Sequence, residues 1–594
     1  MIKMEDFRID HYSIGVFGLN LATIILGSAY LIFPGESAFW DLSGWLFLVS
    51  WMAAITLPLL VSRVVDLSTS TGKRINRLGH VALAVLSVAT ICMFGASFRL
   101  SVATSNAISE IGSILVLLYG SFFGCTAMNS FFAFIMVKQS KISLNSASPS
   151  REEKIDATNA KRTEGYRKIP FVAIGGMLIC AGAVGGMIYL AILSLMGTHL
   201  GAFAFPKVGV INGVMGLISA SFGWLFSIFT WSATVGGMKI LRGLRWPRFA
   251  IGFGMLGLIT GSILLAPMIT VSFMASDTNT RFGEAYGSDW ETRIPAAVLP
   301  YFKSNQLVAA EYFLPQPLDD CVVMEDISFY NGSAGIDNGL QLFFDAYLPP
   351  STGQSLPGAN STLIRIHGGG WTVGDKGTGN MPLMNRYFAA QGYCVFDIQY
   401  GLNNQSNFLS FAQGITPKNV MGNYSINDMV RHIGLFCKYL ALHQIEYHVN
   451  LSSVFVSGGS AGGHLTCVTA LAIASGNYTS IFGSGITIKG FVPFYPANGM
   501  ANLIDGGIGT QEFYDPASLV SAASPPCLVY QGNQDGLVNP QISQDLKDRY
   551  TDQGNPACMV IFFPFAGHGS DIDFYGYYNQ FFLYYMERFL YLYR

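Results

Sequence analysis

The sequence predicts an α-helical membrane domain followed by an α/β domain with a mostly parallel sheet. Of the 594 residues, 51% are hydrophobic and only 12% are charged, whereas about a quarter of the residues of soluble domains are charged. Long apolar runs end near residue 275, and from residue 320 short strand-like runs alternate with helical patterns. The chain is also too long for one compact core, so we expect at least two domains.

Seven runs in the first part are long and apolar enough to cross a bilayer core of about 30 Å, which takes about 20 helical residues. They cover 13–33, 43–62, 81–98, 111–137, 170–196, 208–238 and 249–275. Acidic residues precede the first run, which favours a retained span over a cleavable signal. We therefore predict a multi-span membrane domain over residues 1–275.

Lysine and arginine are distributed unevenly among the predicted loops. The loops near 63–77, 138–168 and 239–248 are strongly basic, whereas the alternate loops carry essentially only Arg99 and Lys207. Basic loops stay in the cytoplasm, so the N-terminus is predicted to be cytoplasmic and the C-terminal domain lumenal or extracellular.

Glycosylation sequons favour the same orientation, because all of them fall in the C-terminal half. They begin at Asn331, Asn360, Asn404, Asn423, Asn450 and Asn477. In a bacterial source these sequons carry no meaning, and the orientation then rests on loop charge alone. In a eukaryotic source the chain is predicted to be a glycoprotein.

Composition also argues against some function classes. The predicted spans carry no acid, lysine or arginine at mid-depth, and ion- or proton-coupled transport usually needs such a group. The net charge is −2, and no basic stripe with interleaved aromatic residues is present. Nucleic acid is therefore not an expected partner.

A Gly-x-Ser-x-Gly turn centred on Ser460 connects the strand-like run 452–456 to an apolar helical pattern. In such a strand–turn–helix unit the serine is held out over the end of the sheet. The backbone N–H of the next residue, Ala461, then faces the oxyanion that develops in acyl transfer. The spacing predicts Ser460 as a nucleophile.

Three further motifs follow predicted strands. His367-Gly368-Gly369-Gly370-Trp371 follows the run 361–366, and its glycine backbone can supply further oxyanion N–H groups. Asp535 follows the run 526–530, and His568 follows 557–563. The chain order Ser, Asp, His is the order expected of an α/β-hydrolase.

Together these motifs resemble the α/β-hydrolases, specifically the hormone-sensitive-lipase-like and isoprenylcysteine-methylesterase-like carboxylesterases with an HGGGW loop. The resemblance covers about residues 320–594, where 514–518 also resembles that family, and none of the first 275 residues. It implies Ser460 as nucleophile, Asp535 as orienting acid and His568 as general base. It also implies that the oxyanion donors are Gly368, Gly369 and Ala461, and that no cofactor or metal is required.

Asp571 and Asp573 are rival acids because they lie close to His568 in sequence. Neither follows a strand end of its own, so Asp535 is preferred. His367, Asp375 and His464 are expected to hold loops in place, and no zinc site is expected at His432, His443 and His448. Among the six cysteines of the C-terminal half, we expect at most one disulfide, with Cys321 and Cys437 as the least buried pair.

Residues 276–318 are interpreted as a partial lid over the active site or as a connector packed on the flank of the domain 319–594. The aromatic C-terminal helix, 573–592, is predicted to meet a membrane interface or to pack on the sheet. The leading hypothesis is a membrane-anchored serine hydrolase for carboxylic esters, with a preference for hydrophobic or lipid-like ones. The alternatives are an amidase or peptidase with the same triad, and a receptor, channel or transporter that uses the domain as a scaffold. The sequence leaves the oligomeric state open.

Overall fold

The computed structural model describes residues 9–35, 37–64, 69–102, 108–144, 171–196, 218–351, 353–404, 416–507 and 509–594. Within these ranges an all-helical N-terminal part precedes an α/β C-terminal part. This order agrees with the predicted fold class.

Long helices build the N-terminal part. In the described residues they are α1 (Ile9–Ile32), α2 (Ala38–Val64), α3 (Ser70–Ser101), α4 (Ile108–Leu144), α5 (Phe171–Met196), α6 (Gly223–Gly243) and α7 (Pro247–Ser272). Six of them, all except α6, are long and apolar enough to cross a membrane.

Helix α6 is the exception because its serine, threonine, glycine and tryptophan residues, together with Lys239, lower its hydropathy. It covers the second half of the predicted span 208–238, of which residues 208–217 lie outside the described residues. In the part of the chain that the structure describes, six helices are thus candidate spans, whereas the full sequence predicts seven spans.

An eight-stranded sheet forms the centre of the C-terminal part. Its strands are β1 (Val322–Asn331), β2 (Gln341–Leu348), β3 (Ser361–Ile366), β4 (Cys394–Ile398), β5 (Asn450–Gly459), β6 (Ile488–Phe494), β7 (Cys527–Gly532) and β8 (Cys558–Phe563). The spatial order is β1-β2-β4-β3-β5-β6-β7-β8. Strand β2 is antiparallel to β1 and β4, and the remaining neighbours are parallel. The predicted strand runs 361–366, 452–456, 526–530 and 557–563 overlap β3, β5, β7 and β8, and the mostly parallel sheet is confirmed.

Helices cover both faces of this sheet. After α8 (Ala275–Tyr286) and α9 (Ala309–Phe313) come α10 (Met381–Ala390), α11 (Ile426–Leu442), α12 (Ala461–Ser475), α13 (Thr479–Phe482), α14 (Asn502–Asp505), α15 (Gln511–Tyr514), α16 (Gln541–Asp552) and α17 (Tyr577–Tyr593). Side chains alternate along β5: Phe455 packs on the side of α10 and α17, whereas Val454 and Val456 pack on the side of α11, α12 and α16. This period of two is typical of a strand buried on both faces.

The sequence of α11 shows why such a helix forms. Ser425 accepts a hydrogen bond from the N–H of Asp428, and the Asp428 carboxylate accepts one from the N–H of Ser425, so the first turn is capped reciprocally. Apolar residues then recur every three or four positions and are fully buried: Ile426, Met429, Val430, Ile433, Phe436, Cys437 and Leu440.

The segment between the two parts contacts both of them. Helix α8 packs against α17, where the ring centroids of Phe282 and Tyr585 are 5.4 Å apart and those of Tyr286 and Phe589 are 5.2 Å apart. These contacts show that α8 packs on the C-terminal part. The boundaries at residues 275 and 319, and the role of 276–318 as connector or partial lid, stay predictions.

The helices α1–α7 form the helical bundle of the N-terminal part, and α9 packs between α2 and α6 at one end of it. The ring of Phe313 contacts the rings of Trp51 on α2 and Trp224 on α6 at centroid distances of 6.1 and 4.3 Å. A Cβ on Gly44 would lie 2.2 Å from the backbone carbon of Ala309, so α2 and α9 approach this closely only because residue 44 is glycine. One hydrophobic core therefore runs from the bundle through α9 and α17 to the sheet.

The aromatic helix α17 packs on the sheet. Its Phe582 contacts Phe494 of β6 and Tyr530 of β7 at centroid distances of 4.9 and 5.2 Å. All residues from Tyr577 to Leu590 are buried. Of the two predicted environments for this helix, packing on the sheet is therefore the one observed.

Two expectations about individual side chains are wrong. Cys437 is fully buried in α11, so it does not belong to a least buried pair, and all nine cysteines are free thiols. Asn360 is 6% exposed, so a glycan at this sequon is incompatible with the fold. The other five sequon asparagines are exposed, and glycosylation of these stays a prediction.

Two buried aspartates face each other across the β2–β4 pair, Asp345 and Asp397. The Nζ of Lys376 lies 2.6 Å from an Asp345 oxygen. Burial raises the pKa of Asp397 to about 7, with a further contribution from Asp345 and opposition from the Gly377 N–H, Arg365 and Lys376. The folded chain therefore carries a buried charge at Asp397 above pH 7 that it lacks at pH 5.

We predict that Asp397→Asn stabilises the chain more at pH 8 than at pH 5. A carboxyl whose pKa rises on folding loses its stabilising effect as pH climbs from the unfolded value of about 4 to the folded value of about 7. The amide has no such dependence. The Tm difference between variant and parent, measured by thermal unfolding in detergent, should grow by several degrees from pH 5 to pH 8.

The matched control is Asp552→Asn, which neutralises an exposed carboxylate at the end of α16. Its Tm difference should stay the same at both pH values. A constant difference for Asp397→Asn as well would contradict the prediction.

Candidate active site

Ser460 lies in the sharp turn between β5 and α12. Its backbone has φ 59° and ψ −120°, a conformation that non-glycine residues adopt only where the surrounding structure enforces it. A Cβ on either Gly458 or Gly462 would lie 2.2 Å from the carbonyl oxygen of Ile366. The two glycines therefore let the turn fit against the end of β3, and the Ser460 side chain stays partly exposed.

His568 lies in the loop after β8 and contacts both other members of the predicted triad. Its Nε2 is 2.9 Å from the Oγ of Ser460, and its Nδ1 is 2.8 Å from the Oδ2 of Asp535. With the Ser460 hydroxyl donating to Nε2 and Nδ1–H donating to Asp535, the three side chains form one continuous hydrogen-bonded chain. The structure thus brings together the three residues that the sequence analysis selected.

The Asp535 side chain is fully buried and held by the backbone that follows β7. Its Oδ1 accepts the N–H groups of Leu537 and Val538, both at 2.9 Å. Its Oδ2 accepts from Gln531 and from His568. These bonds fix the carboxylate in one orientation, which in turn fixes the ring of His568.

The two rival acids are engaged elsewhere. Asp571 Oδ1 accepts the hydroxyl of Tyr495 at 2.8 Å, and burial raises the pKa of Asp571 above its usual range. Asp573 Oδ1 accepts the hydroxyl of Ser101 at 3.3 Å, and burial raises the pKa of Asp573 to about 7. Of the three acids, Asp535 is the one hydrogen-bonded to His568.

The glycine loop lies directly against the turn that carries Ser460. A Cβ on Gly368 would lie 2.7 Å from the carbonyl oxygen of Gly459 and 3.4 Å from the Cβ of Ser460. Gly369 has φ +119°, and a Cβ there would meet the Val373 carbonyl oxygen at 1.9 Å. Ala461 is the first residue of α12, so its N–H has no acceptor within the helix. Of the three predicted oxyanion donors, Gly368 and Ala461 therefore lie directly beside the serine, and Gly369 is the next residue of the loop after Gly368.

Two buried histidines support this loop. His367 Nδ1 bonds the Gly368 carbonyl, and its ring stacks on Tyr400 at 4.4 Å. His464 accepts the indole N–H of Trp371 at 3.3 Å through Nδ1 and donates to the Phe513 carbonyl through Nε2. Burial lowers the pKa of each histidine to about 4, so both are neutral and take the expected structural roles.

Asp375 also has the contacts of a loop-holding residue. Its Oδ1 accepts the side-chain amide of Gln399 at 2.6 Å and the N–H of Lys376 at 2.8 Å. His432 bonds Asp337 and the N–H of Gly401. Across the described ranges, no group of three or more His, Cys, Asp and Glu side chains is arranged to bind a metal ion.

The sequence analysis missed Tyr495. Its ring centroid lies 4.5 Å from that of His568, and its hydroxyl donates to Asp571. Its φ of 35° is one of the positive values in the chain. The position of Tyr495 in the sequence could have indicated it, because Tyr495 directly follows β6 at the carboxyl edge of the sheet. Strand β6 is the neighbour of β5, the strand that Ser460 follows.

Comparisons with known proteins cover the C-terminal half. Residues 344–550 match the family model described as BD-FAE. The chain is 26% identical to the probable carboxylic ester hydrolase LipM of Mycobacterium tuberculosis over 238 residues, which is 36% of this chain and 51% of that protein. It is 23% identical to the esterase LipQ of the same organism over 261 residues, 41% of this chain and 56% of that protein. The chain thus spans about half the length of the curated relatives it matches.

Solved structures align with the same half. The apo form of Thermogutta terrifontis esterase 2 is 20% identical, with a TM-score of 0.34 over 46% of this chain and 93% of that chain. The propionate-bound form of the T. terrifontis esterase has the same identity, TM-score and coverage. The sheet topology described above and the family match over 344–550 agree with each other. Residues 344–550 of this chain therefore carry a BD-FAE domain with an α/β-hydrolase fold.

Proposed function

We propose that this chain is a membrane-anchored serine hydrolase that cleaves carboxylic esters. The observation that supports it most is the continuous hydrogen-bonded chain from Asp535 through His568 to the strained Ser460. A serine hydroxyl is a weak nucleophile unless an adjacent base removes its proton. Here the base is within hydrogen-bond distance and is oriented by a buried carboxylate, as acyl transfer requires.

The proposed reaction has two halves. His568 Nε2 takes the proton of Ser460 as Oγ attacks the ester carbonyl carbon, and N–H groups of Gly368, Gly369 and Ala461 stabilise the oxyanion. His568 then gives that proton to the leaving alcohol as the C–O bond breaks, which leaves an acyl-enzyme. Water, deprotonated by His568, attacks the acyl carbon and releases the carboxylic acid with Ser460 restored. Asp535 keeps Nδ1 protonated throughout.

Esters are favoured as the substrate class because the relatives that match this domain are named as ester hydrolases. The same triad can hydrolyse amides, so an amide panel belongs beside the ester panel. A purely scaffolding domain would not need a partly exposed serine in a strained turn or glycines packed against it. These residue types therefore support an active enzyme over a receptor or transporter scaffold.

We further propose hydrophobic or lipid-like esters as substrates. The loop that carries His568 continues into residues that contact the ends of α3 and α6. The carboxyl edge of the sheet therefore lies beside α3, a helix long and apolar enough to cross a bilayer, where apolar esters are concentrated. The charge of the predicted loops supports the lumen or exterior as this side of the membrane.

We predict that Ser460→Ala abolishes ester hydrolysis and labelling by a fluorophosphonate probe, because it removes the nucleophilic oxygen. The turn should survive, since alanine only deletes a partly exposed atom. Hydrolysis and labelling are measured on the full chain in nanodiscs, with Tm as the folding check. A folded variant that retains most of the activity would exclude Ser460 as the nucleophile.

The orienting acid is tested by comparing two isosteric changes. Asp535→Asn should lower kcat by about 10³–10⁴-fold, because the amide no longer favours the Nδ1–H tautomer of His568. Asp571→Asn should lower it less than tenfold, because its oxygen can still accept from Tyr495. A larger loss from Asp571→Asn would reverse the assignment of the acid.

Chain length tests the substrate class. The full chain in nanodiscs should show kcat/KM at least tenfold higher for a long-chain p-nitrophenyl ester than for the butyrate, since each buried methylene contributes about 0.8 kcal/mol. The full chain is used because a truncated domain would expose the apolar surfaces of α9 and α17 that the bundle covers. Faster turnover of the butyrate would remove the lipid preference and leave ester hydrolysis intact.

A further inference from the structure

The loop that carries His568, residues 564–576 between β8 and α17, touches the helical bundle. The Ser221 hydroxyl, just ahead of α6, donates to the carbonyl oxygen of Ser570 at 2.9 Å. The Ser101 hydroxyl, at the end of α3, lies 3.3 Å from Asp573 Oδ1 and 2.8 Å from the Ser97 carbonyl oxygen, so its hydrogen is shared between the two acceptors. The Tyr577 hydroxyl, where the loop enters α17, donates to the carbonyl oxygen of Ala220. Two separate helices of the bundle therefore hold the loop from one side.

The hydrolase domain holds the same loop from the other side. The hydroxyl groups of Tyr530 and Ser570 are 2.8 Å apart, and Tyr495 donates to Asp571 at 2.8 Å. Asn380, at the start of α10, donates to the Asp571 carbonyl. Ser570 is bonded from both sides, because Ser221 of the bundle binds its carbonyl oxygen and Tyr530 of the sheet binds its hydroxyl. Hydrogen bonds from both halves of the chain thus hold the loop in place.

The bonds from the bundle are made away from water. Ser101 and Ser570 are each 1% exposed, and Ser221 is 2% exposed. When a buried donor is removed, no water replaces it, and the acceptor loses its partner. Removing the Ser221 hydroxyl therefore deprives the Ser570 carbonyl of this bond and frees one side of the loop.

The hydrogen bonds to Ser570 lie close to the atoms that react. Ser570 follows His568 by two residues, and consecutive Cα atoms are about 3.8 Å apart, so a shift at Ser570 reaches the imidazole. The distance from His568 Nε2 to Ser460 Oγ is 2.9 Å, and proton transfer needs about 2.6–3.2 Å. A displacement of the imidazole by a few tenths of an ångström would therefore take this distance out of the range for proton transfer. A misplacement of about 1 Å can cost about 100-fold in rate.

We propose that Ser221 and Ser101 of the bundle are positioning residues for His568, and that the bundle is therefore part of the catalytic apparatus as well as an anchor. This inference rests on the proposed serine hydrolase function. It assigns to two serines of the membrane half a role that acts through the 570–573 segment. Neither serine is placed in contact with substrate.

The test compares Ser221→Ala, Ser101→Ala and Ser227→Ala in the full chain, reconstituted in phosphatidylcholine nanodiscs. Ser227 is the matched control, because it is a buried serine of α6 that bonds the Gly223 and Gly261 carbonyls and not the loop. kcat and KM are measured with p-nitrophenyl butyrate, and Ser460 reactivity is measured as the rate of fluorophosphonate labelling. Tm is recorded for each variant.

We expect Ser221→Ala to lower kcat and the labelling rate by about tenfold or more, with KM changed less than twofold. Ser101→Ala should act in the same direction and more weakly, because its bond is longer. Ser227→Ala should change Tm by about as much as Ser221→Ala does, but it should leave kcat at the value of the parent chain. Ser221→Thr, which keeps the hydroxyl, should recover at least part of kcat.

Parent-like kcat in both Ser221→Ala and Ser101→Ala would overturn the positioning role, while continued labelling of Ser460 would still support the hydrolase. A raised KM at unchanged kcat would overturn it too, since the bundle would then act on binding. An equal loss of kcat in Ser227→Ala would show a general effect of bundle stability and overturn it as well. If the parent chain neither turns over esters nor labels, the proposed function itself fails.

Discussion

The carbonyl oxygen of Ile366, at the end of β3, occupies the space that a Cβ on Gly458 or Gly462 would need. Because both positions are glycine, β5 can turn into α12 against this oxygen with Ser460 at the apex. The same approach brings Gly368 within contact of Gly459, so the proposed nucleophile and the proposed oxyanion donor Gly368 depend on one backbone constraint. Asp535 and His568 then reach Ser460 because β7 and β8 end at the same edge of the parallel sheet.

A second constraint joins this site to the bundle. The hydrophobic core runs without interruption from α2 through α9 and α17 to the sheet, so the two halves of the chain stabilise each other. The polar contacts of Ser101 and Ser221 with the loop 564–576 lie at this junction. Buried side-chain bonds of this kind are costly to break singly, which is why the site is expected to respond to changes in the helices.

The sequence was sufficient for the strands and for selecting the three side chains Ser460, Asp535 and His568 that the fold brings into contact, because both depend on local patterns. Runs of β-branched and aromatic residues marked each strand, and Ser460, Asp535 and His568 each follow one of them. Tyr495 and the contact between Trp371 and His464 depend instead on which elements become neighbours in space. The same limitation explains the errors at Cys437 and Asn360, whose burial is set by packing partners distant in sequence.

The close contact of Gly44 with Ala309 has a consequence for how the chain is made. Helix α2 emerges early in synthesis, whereas α9 follows the last helix of the bundle, so the aromatic pocket around Trp51 stays unfilled until α9 arrives. We therefore expect the bundle to close only after the segment that follows α7 has folded back onto α2. In a ribosome-stalled intermediate that ends before α9, the side chain of Phe313 would be absent from its contact with Trp51.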